Sequence, residues 1–265
     1  MQLKQNEWSV QWQNLRHDGC DQSGATQQHF LNFFLKPYDA GIFKNKVVLD
    51  AGCGGGDKLF FLSALARRVI GVDLNTQSVV AQRIQDQGCC NVEFIEADLA
   101  ELKLPEQVDI LISDGVIHHT VDPDRTFANL KSLVKPGGLM MVMVYAQEGN
   151  WVNQHILNKI FAITRAWPYI LKRWLAVFLA RCLRGYGRVI CFCRITGLPF
   201  YRYLHDYFLG MSFSMNVLDI YDQINAPLVY YIARQDIERW FQDDFEDVNI
   251  FHEKGVTWVA NGRKK

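Results

Sequence analysis

The chain has 265 residues, 49% of them hydrophobic, and its 28 basic residues balance 28 acidic ones. This is long enough for one α/β domain with an insertion or for two small domains, and the apolar share is that of a globular protein, not of a disordered or membrane-embedded chain. Zero formal charge excludes an overall pull toward nucleic acid or membrane, but nine basic residues between Trp151 and His205 have no Asp or Glu among them, so the rest of the chain is net acidic.

The seven cysteines are odd in number, scattered, and form no C-x-x-C pair at zinc spacing. They read as small buried thiols of a reduced, cytoplasmic protein, with no metal site. The first 19 residues are polar and lack the apolar core of a signal peptide. Residues 1–45 place Trp8, Trp12 and Leu15, and later Phe30, Phe33 and Phe34, at spacings that suit amphipathic helices.

Val47 to Asp50 is a short apolar run closed by a carboxylate, followed at once by Gly52, Gly54 and Gly56. Such a run predicts a buried parallel strand, and the glycines allow a ligand close to the main chain. Apolar residues at helical spacing from Lys58 to Arg68 predict a helix whose N-terminus opens on the same crevice. A dinucleotide turn, G-x-G-x-x-G, would need glycine where Asp57 stands. The spacing present, D-x-G-x-G-x-G, resembles motif I of the class I S-adenosylmethionine-dependent methyltransferases. That resemblance implies that Asp50 faces the cofactor's amino-acid part and that Gly52, Cys53, Gly54 and Gly56 form its cradle.

A second apolar run, Val69 to Leu74, ends in Asp73, 21 residues beyond Gly52. A carboxylate at that separation accepts both hydroxyls of a ribose, in dinucleotide and adenosylmethionine sites alike, with Leu74 beside it. Thr76 to Gly88 predicts a helix with a capping Thr and a closing Gly. Asn91 to Glu96 predicts strand three and leads into Asp98 and Leu99. Taken alone, Asp98 is a turn or cap residue; the resemblance implies that it accepts the adenine amine while Leu99 packs on the ring. Three acids at the ends of successive strands would share the C-terminal edge of one parallel sheet, where open α/β folds bind ligands.

Strand four, Val108 to Ser113, runs into Asp114 and the pair His118-His119; Asp122-Pro123 opens a helix, and Lys135-Pro136-Gly137-Gly138 precedes strand five, Leu139 to Ala146. These landmarks extend the resemblance over residues 46 to 146, to the quinone and small-molecule methyltransferases of this class. A helix from Arg234 to Gln242, a strand from Phe245 to Phe251, a turn at His252 to Gly255 and a strand from Val256 to Ala260 complete seven strands. The expected fold is therefore α/β, a Rossmann-like seven-stranded sheet, mostly parallel with an antiparallel last strand, flanked by helices. Residues 46–148 and 232–265 form this cofactor-binding domain. Residues 1–45 make an N-terminal helical lid or a cover for a sheet edge, and residues 149–231 a helical insertion after strand five.

The insertion is apolar, aromatic and basic, and its longest apolar run, Trp174 to Ala180, is too short to span a bilayer. It suits a cap over the substrate, packed on the domain or on a second subunit, or a peripheral membrane contact through residues 151–204. Nucleic acid is disfavoured because the charges interleave with bulky aliphatics and the body is acidic. Further on, Tyr221, Tyr230 and Tyr231 fall in a segment that resembles the substrate mouth of bacterial relatives.

The resemblance implies methyl transfer from S-adenosylmethionine to a small, hydrophobic or lipid-linked acceptor. The alternatives are a tRNA or protein methyltransferase docking through the basic insertion, and a non-catalytic binding relative. His118 and His119 are the candidates for removing a proton from the acceptor. Asp114 is placed to bind the cofactor's amino group or to orient a histidine.

Overall fold

The computed structural model describes residues 27, 30–74 and 76–265; Trp8, Trp12 and Leu15 lie outside them. Its strands are β1 Val47–Ala51, β2 Arg68–Asp73, β3 Val92–Glu96, β4 Val108–Asp114, β5 Val134–Tyr145, β6 Phe245–Glu253 and β7 Thr257–Lys264. They form one sheet in the order β3-β2-β1-β4-β5-β7-β6. Every pair from β3 to β5 is parallel, and β7 runs antiparallel to both β5 and β6. In chain order the helices are α1 Asp57–Ser63, α2 Gln77–Gln87, α3 Pro123–Ser132, α4 Asn158–Thr164, α5 Tyr169–Phe192, α6 Tyr201–Asp206, α7 Phe213–Asn225 and α8 Arg234–Phe241.

Strand residues alternate between two cores, as a sheet covered on both faces requires. Leu49, Leu111, Met140 and Val142 pack against Phe127 of α3 and Phe241 of α8. Val48, Ile110 and Met141 pack against Leu59 of α1 and against Phe30, Phe34 and Phe43. The described part of the N-terminal segment thus covers a sheet face, while Phe33 turns away and meets the Tyr207 ring edge-on at 6.3 Å. Because β1 lies between β2 and β4, the chain reverses direction across the sheet there, and a crevice opens at the C-terminal ends of those strands.

Three element boundaries differ from the sequence reading. α1 stops at Ser63 because Val47 pairs in register with Arg68, so the chain must already be extended there. β5 begins at Val134, with a register irregularity against β4 that absorbs the Lys-Pro-Gly-Gly segment. Thr76 makes no capping bond, and its hydroxyl is buried; Gly88 does close α2, at φ 63°.

Helices α4 to α7 lie between β5 and α8 and enclose a separate core that includes Phe161, Ala176, Ala180, Leu204, Phe208 and Ile224. Ala176 and Ala180 let α7 approach α5 closely. Among the described residues no helix is long and apolar enough to cross a membrane.

Candidate active site

The glycine turn after β1 is clamped from two sides. Gly52 and Cys53 both donate their N–H to Val72 O, at 2.8 and 3.1 Å, and Gly54 N–H donates to Asp73 Oδ2 at 2.7 Å. Gly52, Gly54 and Gly56 have φ of 87°, 54° and 87°. A Cβ on Gly52 would lie 2.3 Å from Val116, the residue that follows β4 and Gly115. The turn is therefore the floor of a cavity of about 500 Å³, which Gly52, Cys53, Gly54, Asp73 and Asp114 line at this end. Gly56 sits just behind it as the first cap of α1.

Asp50 does not reach the cavity wall. It is fully buried, and neither carboxylate oxygen has a hydrogen-bond partner. Its neighbour is Lys58, whose Nζ stands 3.9 Å from Asp50 Oδ1 and 3.4 Å from Asp114 Oδ2 and which lines the cavity. Burial raises the Asp50 carboxyl to about 6, Lys58 notwithstanding. The Lys58 ammonium is held above its usual range by Asp50 and Asp114 in spite of its burial. Asp50, expected from the resemblance to face the cofactor, stands beside Lys58 and helps to fix that ammonium on the wall. Lys58 went unnoticed in the sequence because a lysine in a first helical turn ordinarily reads as solvated.

Asp73 is held by two backbone donors, Gly54 N–H and, at 2.7 Å to its other oxygen, Leu74 N–H. Burial raises its carboxyl to about 6 against these bonds. Each oxygen keeps a second lone pair, the acceptor set a vicinal diol needs. Asp98 is exposed and accepts the N–H of Ala100 at 2.9 Å, and Leu99 is buried in the sheet core. Asp98 still sits next to the Asp73 end of β2, because Ala97 N–H bonds to Asp73 O at 3.2 Å.

The two histidine rings lie 4.2 Å apart, but only His119 reaches the cavity wall. His118 is fully buried, lies 4.1 Å ring to ring from Tyr145, and accepts Tyr145 N–H at 3.4 Å. It lies directly behind the wall residues His119 and Tyr145 and does not itself line the cavity. His119 lines the cavity, with Nδ1 2.7 Å from Leu228 O. That contact requires a proton on Nδ1 and leaves the lone pair on Nε2. Burial pushes His119 down to about 4, so the ring is neutral at physiological pH.

None of the three expected substrate tyrosines lies on the wall. Tyr221 is buried in the insertion's own core, Tyr230 is exposed with its hydroxyl on Val121 O at 3.2 Å, and Tyr231 donates to Asn158 Oδ1 at 3.2 Å. The wall there is formed among others by Tyr145 at the end of β5, Tyr203 and Tyr207 around α6, Asp219 and Asp222 on α7, and Lys254 in the β6–β7 turn. Helical spacing could have identified the α7 residues: Met215, Leu218, Asp219 and Asp222 share one face.

A sequence profile for the methyltransferase domain matches residues 42–174. A ubiquinone biosynthesis O-methyltransferase of Pseudomonas fluorescens is 33% identical over 133 residues, 48% of this chain and 53% of that protein. A Mycobacterium tuberculosis protein described as a probable S-adenosylmethionine-dependent methyltransferase is 36% identical over 96 residues, 36% of this chain and 34% of that one. The chain spans about half or less of the length of the curated relatives it matches. Among solved structures, a Pyrococcus horikoshii protein superposes with a TM-score of 0.57 at 13% identity, covering 93% of both chains, a likeness of fold. The matched profile takes in half of the chain and runs from the glycine turn through β5, so the chain belongs to the class I S-adenosylmethionine-dependent methyltransferases, whose cofactor is S-adenosylmethionine.

Proposed function

We propose that the protein transfers the methyl group of S-adenosylmethionine to a small, largely apolar acceptor held beneath the insertion. The observation that carries this reading is the continuity of the cavity: the same space that begins at Gly52 and Asp73 ends among Phe161, Leu179, Leu183, Phe200 and Leu218. A mostly apolar recess with a few convergent polar groups suits a small molecule better than a folded RNA or protein. The Pseudomonas relative, named for ubiquinone biosynthesis, supports an apolar ring as the acceptor.

When bound, the cofactor supplies a methyl group already activated on a sulfonium, so the protein's task is to align the acceptor and exclude water. In this reading Lys58 takes the cofactor's carboxylate and Asp114 its ammonium, Asp73 the ribose, and Asp98 the adenine amine. The orphaned Asp50 carboxylate fits such a site, because it holds a cation on the wall at a cost to the fold. Neutral His119 offers a hydrogen-bond acceptor to the methyl-accepting group and orients it. The test is methyl-labelled cofactor added to the protein with total cell extract. Label is expected in the solvent-extractable small-molecule fraction; label confined to RNA or to precipitated protein would contradict the reading.

The insertion also supports a docking surface for an anionic lipid bilayer. Along α5 one face packs inward through Ala176, Ala180 and Ile190, whereas Ile170, Trp174, Phe178, Val189 and Phe192 form an exposed stripe on the other. Arg173, Arg181 and Arg188 flank that stripe, and no acidic residue occurs between Trp151 and His205. A second copy would bring like charges together, whereas acidic headgroups complement them. The same helix lines the acceptor cavity through Leu179 and Leu183, a short route for a lipid-like acceptor. Flotation with phosphatidylglycerol vesicles is expected for the wild type, with little on neutral phosphatidylcholine, and Trp174→Ser/Phe178→Ser is expected to lose it. Equal flotation of the variant would refute the surface.

A further inference from the structure

The acceptor end of the cavity holds a polar cluster that cofactor binding does not use. Lys254, Asp219, Tyr203 and Tyr207 all line the cavity and come from three separate parts of the chain. Lys254 is 6% exposed; its Nζ lies 3.5 Å from the Tyr207 ring centroid and 5.2 Å from that of Phe33. Tyr203 donates its hydroxyl to Asp219 Oδ2 at 3.4 Å, and Tyr207 also hydrogen-bonds Asp219.

The backbone under Lys254 is unusual for its side chain. Lys254 and Gly255 form the centre of the β6–β7 turn with φ of 55° and 73°, a conformation for which Asn-Gly is the favoured pair. A lysine there costs about 1 kcal/mol of backbone strain. Its ammonium is buried at the cavity wall, against the Tyr207 ring and within the field of Asp219.

We propose that Lys254, backed by Asp219 and Tyr207, is a catalytic residue that accepts the proton of an acidic hydroxyl on the acceptor, a phenol or an enol, and holds the resulting oxyanion. The inference rests on the methyl-transfer reading. In the fraction of molecules whose Lys254 Nζ is unprotonated, which grows as pH rises toward 8, the acceptor's O–H bond breaks, the proton goes to Nζ to make an ammonium, and the electron pair stays on oxygen, which becomes the nucleophile. Charge and atoms balance with no further reactant. The Tyr207 ring face and the Asp219 carboxylate stabilise the ammonium as it forms.

Among the described residues, the groups that bear on Lys254 include Asp219 from α7, Tyr203 and Tyr207 from the α6 region, Phe33 from the N-terminal segment, Asp114 at the end of β4 and its own neighbour Glu253. Burial draws its ammonium down to about 8, while Asp219, Asp114 and Glu253 pull the other way. A base in that range matches a phenol or enol near neutrality, whereas His119, drawn down to about 4, is too weak to take such a proton. The aromatic walls formed by Tyr145, Tyr203, Tyr207 and Phe200 suit a planar acceptor.

The test uses 4-nitrophenol, whose yellow anion is told from the colourless phenol by absorbance, titrated into the full chain loaded with S-adenosylhomocysteine. At a pH where the free probe is mostly protonated, the wild-type complex is expected to hold it as the anion, its apparent pKa lowered by about one unit or more. Lys254→Met is expected to abolish this shift. Lys254→Arg, a permanent cation that cannot take up a proton, keeps this shift through its charge and guards against a folding artefact in the first variant. The proton transfer is read separately, by the rate of methyl transfer to 4-nitrophenol with S-adenosylmethionine, which is expected to fall about tenfold or more in Lys254→Arg; an unchanged rate overturns the role as proton acceptor. A probe that stays colourless in the wild type, does not bind, or ionises equally in Lys254→Met overturns the proposal. Calorimetry of S-adenosylhomocysteine alone keeps the two readings apart, since its failure to bind would overturn methyl transfer itself.

Discussion

Gly52→Ala is expected to abolish cofactor binding and to cost the fold about 2–5 kcal/mol, a large part of a typical domain's stability. The new methyl would meet Val116 at 2.3 Å, and φ of 87° is a conformation that L side chains rarely adopt. The turn cannot relax, because Gly52 and Cys53 N–H groups are tied to Val72 O and Gly54 to Asp73. Any shift that relieves Val116 therefore moves the cavity floor. Gly88→Ala is the internal comparison: its φ of 63° imposes a similar backbone cost, but nothing lies within 4 Å of the added carbon. It is expected to lose only about 1 kcal/mol and to bind cofactor normally. Urea denaturation with cofactor titration checks both variants; a Gly52→Ala protein that binds like the wild type would show that the turn is not the floor of the site.

Lys58→Met is expected to weaken cofactor binding about 100-fold and to destabilise the protein by about 3–5 kcal/mol. The second effect arises because Asp50, fully buried and without a hydrogen-bond partner, loses the cation beside it. Asp50→Asn moves the other way in the unliganded protein. Its folded carboxyl is raised from 3.8 to about 6, so the native state binds the proton more tightly than the unfolded chain does. Ionised Asp50 therefore costs stability above about pH 6, and below about pH 4 the cost is gone. Asp50→Asn is expected to gain about 1–3 kcal/mol near pH 7.5 and nothing near pH 4. The double variant Lys58→Met/Asp50→Asn recovers stability without recovering cofactor binding. Recovery of both would mean that Lys58 serves the fold alone.

Much of the sheet was legible because its signals are local. Val47 to Asp50 and Val69 to Asp73 are apolar runs closed by acids, and the order of the landmarks implied the seven strands found. Asp73 and the glycines were legible for the same reason: a turn requires particular residues at a particular place. What escaped depends on distant contacts. Lys58 becomes a buried cation only because β4 brings Asp114 beside the end of β1. Asp219 and Lys254 meet only when the insertion folds back over the β6–β7 turn, and His-Glu-Lys-Gly reads locally as no more than a hairpin. Tyr221 was named through the resemblance, but its place on α7 sets its ring 5.6 Å from that of Tyr169, in the insertion's core, while Asp219 and Asp222 face the cavity. His118 and His119 were indistinguishable as neighbours in sequence; one turn of 3₁₀ helix, Ile117–His119, sends one ring under Tyr145 and the other to the wall.

The most direct measurement is isothermal calorimetry of S-adenosylmethionine and S-adenosylhomocysteine into the full chain, with Asp73→Ala alongside. One saturable site per chain for each ligand is predicted, weakened about 100-fold by Asp73→Ala through loss of the charge-assisted diol contacts. No binding of either ligand by the wild type, or equal binding by Asp73→Ala, would contradict it.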